Sequence, residues 1–209
     1  MGFIKGAVTL TRYRVEDELP EDFRETLKER IESHAFRRLD EDSLEERSSG
    51  WVSILDTLQV GFVGDEFSKE PYLALSFRVD TRTVPSRALR QYCREAEEEV
   101  KAGEDLEFLN KKRREEIRDG VRTRLLRRAI PRSNTYDMVW DLTSGMVFFG
   151  STNSKICDEF TEHFFATFDL RLASLHPYSS AWRILEASGS DPSVVEGLRP
   201  MRGSGEAPA

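Results

Sequence analysis

The chain has 209 residues, with 38 acidic and 31 basic side chains, a net charge of −7, 38% hydrophobic residues and 33% charged ones. That length can bury a real core, and the high charge points to long exposed helices beside it. Nothing approaches the roughly 20 apolar residues of a membrane span. The start carries no apolar signal core, and Cys93 and Cys157 lack metal-ligand spacing, so they read as reduced thiols of a cytoplasmic protein. The acidic balance argues against indiscriminate polyanion binding, so any nucleic-acid role has to rest on local charge.

Residues 6–15 alternate apolar and polar side chains and predict a strand. Pro20-Glu21-Asp22 opens a helix, with Phe23, Leu27 and Ile31 as its inward stripe. Residues 38–50 are polar and read as a loop, followed by a short strand at 51–54 and a stronger one at 72–80. A helical arm then fills residues 84–132. Leu89, Tyr92, Cys93, Ala96 and Val100 keep helical spacing up to a break at Ala102-Gly103. Leu106, Leu109, Ile117, Val121 and Leu125 continue it, and the economical arrangement is an antiparallel helical hairpin. Strands at 136–141 and 146–149 flank a turn ending in Gly145, where a positive φ is wanted. Ser151-Thr152-Asn153 caps a helix with Ile156, Phe160, Phe164 and Phe165 inward. A last strand is expected at 168–172, a short helix at 181–185, and a disordered tail over 188–209. The expectation is therefore an α+β domain over 1–187, with a largely antiparallel sheet and a projecting long helical hairpin.

The arm carries the chain's most unusual charge distribution. Residues 111–132 hold ten cations, Lys111, Lys112, Arg113, Arg114, Arg118, Arg122, Arg124, Arg127, Arg128 and Arg132, against Glu115, Glu116 and Asp119. That segment is +7, which leaves −14 for the rest of the chain. On a helical wheel Lys111, Arg114, Arg118 and Arg122 fall within about 80° at roughly 100° per residue. The stripe Ile117, Val121 and Leu125 lies beside them, so one face can pack while its neighbour presents guanidinium groups to phosphates. The alternative is a solvated face paired with Glu95, Glu97, Glu98 and Glu99 of the preceding helix, which would suit a protein-interaction module. Ala129-Ile130-Pro131 sets an apolar residue and a helix stop among arginines, and is the candidate self-association segment.

Catalytic patterns are weak. Asp137 and Asp141 share one strand face, as a two-metal nuclease site sometimes requires, but no His or Lys accompanies them at meaningful spacing. Glu159 and His163 are four apart without HExxH or a third ligand. Gly61-x-x-Gly64 lacks the Lys-Ser/Thr of a phosphate loop, and no nucleophile elbow is present. No enzyme activity, metal or cofactor is expected.

Several stretches together resemble the recombination-associated RdgC family: Met1-Gly2-Phe3 with Thr11-Arg12-Tyr13-Arg14-Val15, and Val84-Pro85-Ser86 leading into charged helices. Leu125-Leu126-Arg127-Arg128-Ala129-Ile130-Pro131-Arg132 is similar to the family's Leu-Leu-Pro-Arg-Ala-Phe stretch. Val139-Trp140-Asp141, Gly145, Ser151 and Ser174-Leu175-x-Pro177 follow in the family's order. The departures are Arg127 where the family often has Pro and Ile130 where an aromatic residue is common. The resemblance covers most of residues 1–186. Members of that family pair at both ends into a ring around duplex DNA and restrain recombinase filaments. For this chain the resemblance implies a nucleoid-associated protein that binds duplex DNA with little sequence preference, as a homodimer, and modulates recombinase filaments.

Overall fold

The computed structural model describes Phe3, residues 9–40 and residues 42–197. Among them, seven strands form one antiparallel sheet in the order β2-β4-β5-β6-β1-β7, with the short β3 (Ser68–Lys69) also paired to β4. One of the two longest strands is β4 (Tyr72–Thr81), whose alternation sends Leu73, Leu75, Phe77 and Val79 to one face. β5 (Arg132–Asp141) pairs with it along its full length, setting Leu75 opposite Met138 and Leu73 opposite Trp140. β6 (Met146–Phe149) returns through a turn in which Gly145 has φ +69°, as the turn requires. β1 (Thr11–Val15) and β7 (Leu172–Ser174) complete that side; residues 6–8 of the expected first strand lie outside the described residues.

Two helices cover the apolar face. α1 (Phe23–Ser33) buries Phe23, Leu27 and Ile31, the expected stripe. α4 (Ser154–Phe168) is capped by the Asn153 side chain, which accepts from the Ile156 N–H, and it buries Phe160, Phe164 and Phe168. Phe160 stacks on Phe149 with centroids 3.9 Å apart, and Trp51 donates its indole N–H to Thr167 at 2.8 Å. Fully burying each of these aromatic side chains stabilises the fold by roughly 1.5–3 kcal/mol.

Several expectations need correction. Phe165, expected inward, is 48% exposed, because α4 turns its buried stripe through positions 160, 164 and 168. Phe168 therefore ends a helix rather than starting a strand, and the last strand begins at Leu172. β2 (Arg47–Ser53) starts within the expected loop, since its polar start pairs with β4 from Arg47↔Thr81 to Ser53↔Leu75. Gly50 is needed there: a Cβ would lie 2.5 Å from the backbone of Phe36, which crosses beside the strand. The last helix, α5 (Pro177–Ala187), is longer than expected, with His176 as its N-cap. In the expected tail, Pro192–Gly197 forms a 3₁₀ turn that buries Val195, one of the few apolar side chains there; residues 198–209 lie outside the described residues.

The charged segment forms α2 (Ser86–Glu104) and α3 (Lys111–Arg128). The helix does not break at Ala102-Gly103. It continues to Glu104 and ends where Asp105 adopts the left-handed conformation at φ 52°. Asn110 then caps α3, its side chain accepting from the Arg113 N–H at 2.8 Å. Leu106 and Leu109 belong to the connection, where Leu109 is buried.

Candidate nucleic-acid interface

α2 and α3 lie against each other, and their contacts run in opposite order along the two chains. Glu104 meets Arg113 at 2.7 Å, Glu97 approaches Arg114 at 4.0 Å, and Ala88 shares a hollow with Arg128. α2 buries none of its residues fully, and α3 buries only Val121 and Leu126. Helical spacing thus gives each helix one partly covered stripe and leaves the charged positions to solvent. Four cations, Lys111 to Arg114, occupy the first turn of α3, with no acid among them. They face the positive end of the helix dipole, an arrangement that costs stability and raises the local positive potential.

All ten predicted cations are exposed, but the structure divides them. Lys111, Arg114 and Arg118 come together along the α2–α3 seam, where they line a hollow of 620 Å³ with Arg90 and Arg94 of α2. Five cations there face two acids, Glu97 and Glu115. The predicted row is broken at Arg122, which turns to Glu46 at the start of β2 and forms an ion pair with it. Arg113 is held by Glu104 and Glu116. Arg124 and Arg128 lie on the opposite side of the helix pair, where Glu95 and Glu99 balance them around a second hollow of 570 Å³. Arg127 and Arg128 also line a third hollow at the base of the arm. Among the described residues Lys112, Arg118, Arg124, Arg127, Arg128 and Arg132 make no ion pair. Ile130, between the second and third hollows, is 92% exposed.

Sequence reasoning missed Arg90 and Arg94. Their spacing of four on α2 was the available signal, masked by the acids that follow them. One side of the helix pair is consequently cationic and the other balanced, a distinction that summing charge along α3 conceals.

The carboxylates that suggested metal chemistry have other partners. Asp137 accepts from the Ser76 hydroxyl at 2.6 Å and from the Phe3 N–H at 2.9 Å. Asp141 staples the β5–β6 turn. Its carboxyl is held below the usual range first by the Ser144 hydroxyl and then by the Thr143 N–H. Glu159 pairs with Arg47. His163 packs between Trp51 and Phe77, its ring Nε2 directed at the His34 carbonyl at 3.2 Å. Burial, and then the nearby His34 ring, push its pKa down to about 4. Among the described residues no three His, Cys, Asp or Glu side chains are grouped to share a metal ion. None of the described helices is long and apolar enough to cross a membrane.

No curated protein matches the chain. Residues 8–185 match the family model described as "Putative exonuclease, RdgC". That match spans the sheet, both covering helices and the whole α2–α3 arm, and the chain belongs to the RdgC family, which places it among proteins associated with recombination.

Proposed function

We propose that the chain binds duplex DNA without reading its sequence, acts as a homodimer, and through this binding modulates recombinase filaments. The observation that carries the reading is the seam hollow, where Arg90, Arg94, Lys111, Arg114 and Arg118 face only Glu97 and Glu115. A net charge of +3 in one groove of an otherwise acidic chain suits a polyanion that approaches from one side. Guanidinium groups at one-turn spacing contact phosphates, and phosphates carry no sequence information. The remaining candidates, Lys112, Arg113, Arg122, Arg124, Arg127, Arg128 and Arg132, extend the field around this centre. Ala129-Ile130-Pro131 supplies the dimer contact, because an isoleucine that is 92% exposed among arginines gains most by meeting a second copy. No catalytic step is assigned, since the carboxylates suited to one are engaged in turn, strand and ion-pair contacts.

The test is duplex affinity against salt concentration for several unrelated sequences of equal length. The expected outcome is a linear fall of log affinity with log salt and one affinity for all sequences. Absence of binding at 50 mM salt would remove the DNA reading, and magnesium-dependent strand loss would replace it with a nuclease.

A further inference from the structure

We infer that the hollow at the base of the arm is a built phosphate site that takes a backbone phosphate of the duplex. The identity of the phosphate donor rests on the DNA-binding reading; the site's chemistry does not.

This hollow, of 720 Å³, lies where the end of α3 meets the polar face of β4. Among the described residues Arg38, Arg78, Arg82, Arg127 and Arg128 line it against one carboxylate, Asp80. That carboxylate is already committed. Arg78 grips it with two parallel bonds of 2.8 and 2.9 Å, both partners buried, and the Arg78 guanidinium lies 4.3 Å from the centre of the Phe36 ring. Burial alone would raise the Asp80 carboxyl, but hydrogen bonds from Arg78 and Ser133 and the charges of Arg78 and Arg38 hold it below the usual range.

Arg82 is the decisive residue. It is 2% exposed, and its contacts are neutral carbonyls: Asp40 at 2.7 Å, Leu39 at 3.1 Å and Ser43 at 3.3 Å. Its Nε has no partner among the described residues. Carbonyl dipoles satisfy N–H groups but do not cancel the formal charge, and in the protein interior that charge is weakly screened. Among the described residues its field is met by no free carboxylate lining the hollow. Arg38, Arg127 and Arg128 at the rim are exposed and make no ion pair among the described residues. Setting aside Arg128, which Glu95 and Glu99 balance on the other hollow, four guanidinium groups against one carboxylate leave +3 here among the described residues. Two free planar forks, Arg38 and Arg127, above a buried positive charge suit a compact oxyanion with several acceptor oxygens, which is the chemistry of phosphate. Arg128 lies about 25 Å along α3 from Lys111, so this contact is separate from the groups at the start of the seam.

The experiment uses the full chain, first with inorganic phosphate alone and then with duplex. Arginine Nε–H and backbone signals are followed by NMR at constant ionic strength. Saturable shifts at Arg38, Arg127, Arg128 and Ser133, absent at Arg118 and lost in Arg38→Glu, are the expected result. With duplex at 0.1 M salt, Arg38→Glu, which changes the local charge by two, should lower affinity at least about eightfold and flatten the salt slope by about 1.8, at about 0.9 per charge. Arg127→Gln gives an independent check should Arg38→Glu misfold. The inference is overturned if phosphate gives no saturable shift there, or if Arg38→Glu leaves duplex affinity unchanged. Displacement of phosphate by an acidic, apolar peptide with duplex binding unaffected would equally overturn it, reassigning the hollow to a protein partner. Saturable phosphate binding in a chain that binds no duplex would keep the site and remove the DNA reading.

Discussion

Arg118 offers a graded test of the seam groove. It is exposed and makes no ion pair among the described residues, so its charge can be changed with little structural consequence. Five cations less two acids give the groove +3, enough for about three phosphates and a log–log salt slope near −2.7. Between 50 and 200 mM salt this is a fall in affinity of about 40-fold. Arg118→Gln leaves +2 and a fall of about 12-fold, and Arg118→Glu leaves +1 and a fall of about 3.5-fold. Contacts elsewhere on the surface, the basal hollow included, add the same offset to all three proteins, so the steps between them carry the test. The assay is anisotropy of a labelled mixed-sequence duplex across that salt range, with thermal melting of each variant as control. Melting should stay within the range of ordinary surface substitutions, about ±0.5 kcal/mol. Equal slopes in the three proteins, or a loss of stability with the slope unchanged, would refute the groove as the DNA contact.

His163, its pKa pushed down to about 4 by burial and then by His34, takes up a proton more readily in the unfolded chain. Its contribution is complete above about pH 6.5 and is lost as the pH falls toward 4, so unfolding by urea should show about 2 kcal/mol less stability at pH 5 than at pH 7, a difference reduced in His163→Gln. Gly50→Ala places a Cβ 2.5 Å from the Phe36 backbone and should cost about 1–3 kcal/mol in the same assay; a neutral result would mean that the crossing beside β2 is slack. Ending the chain at residue 187 removes the buried Val195 and should cost about 1.5 kcal/mol in thermal melting, whereas an unchanged melting temperature would show that the 3₁₀ turn adds nothing. Ile130→Asp should shift sedimentation at micromolar concentration from dimer to monomer; a wild-type monomer at every concentration would remove the dimer.

Much of the fold was legible because its signals are local. The Phe23, Leu27, Ile31 stripe, the alternation in β4, the Asn153 cap and Gly145 each lie within a few neighbouring residues. The strand at Arg47-Ser48-Ser49 was not legible, since those polar residues pair only because β4 lies beside them. Gly103 misled because an exposed helix tolerates a glycine, and the turn used Asp105 instead. The site was half legible. The wheel brought Lys111, Arg114 and Arg118 together correctly in angle, but Arg122 was claimed by Glu46, 76 residues away. Arg38, Arg78, Arg82 and Arg127 converge through the topology of the sheet and its loops, and no sequence spacing reports that.

β4 joins two environments that tolerate no exchange. Phe77 and Val79 point into the aromatic core while Arg78 and Asp80, their neighbours in the chain, occupy the opposite face. A slip of one residue against β2 or β5 would drive a guanidinium and a carboxylate among tryptophans and expel two apolar side chains. The charged pair therefore acts as a ratchet tooth on the strand, holding its register against sliding. It also means that the floor of the arginine hollow, Arg78 and Asp80, is held in place by the whole core beneath it, while the exposed arginines of the rim stay free to adjust.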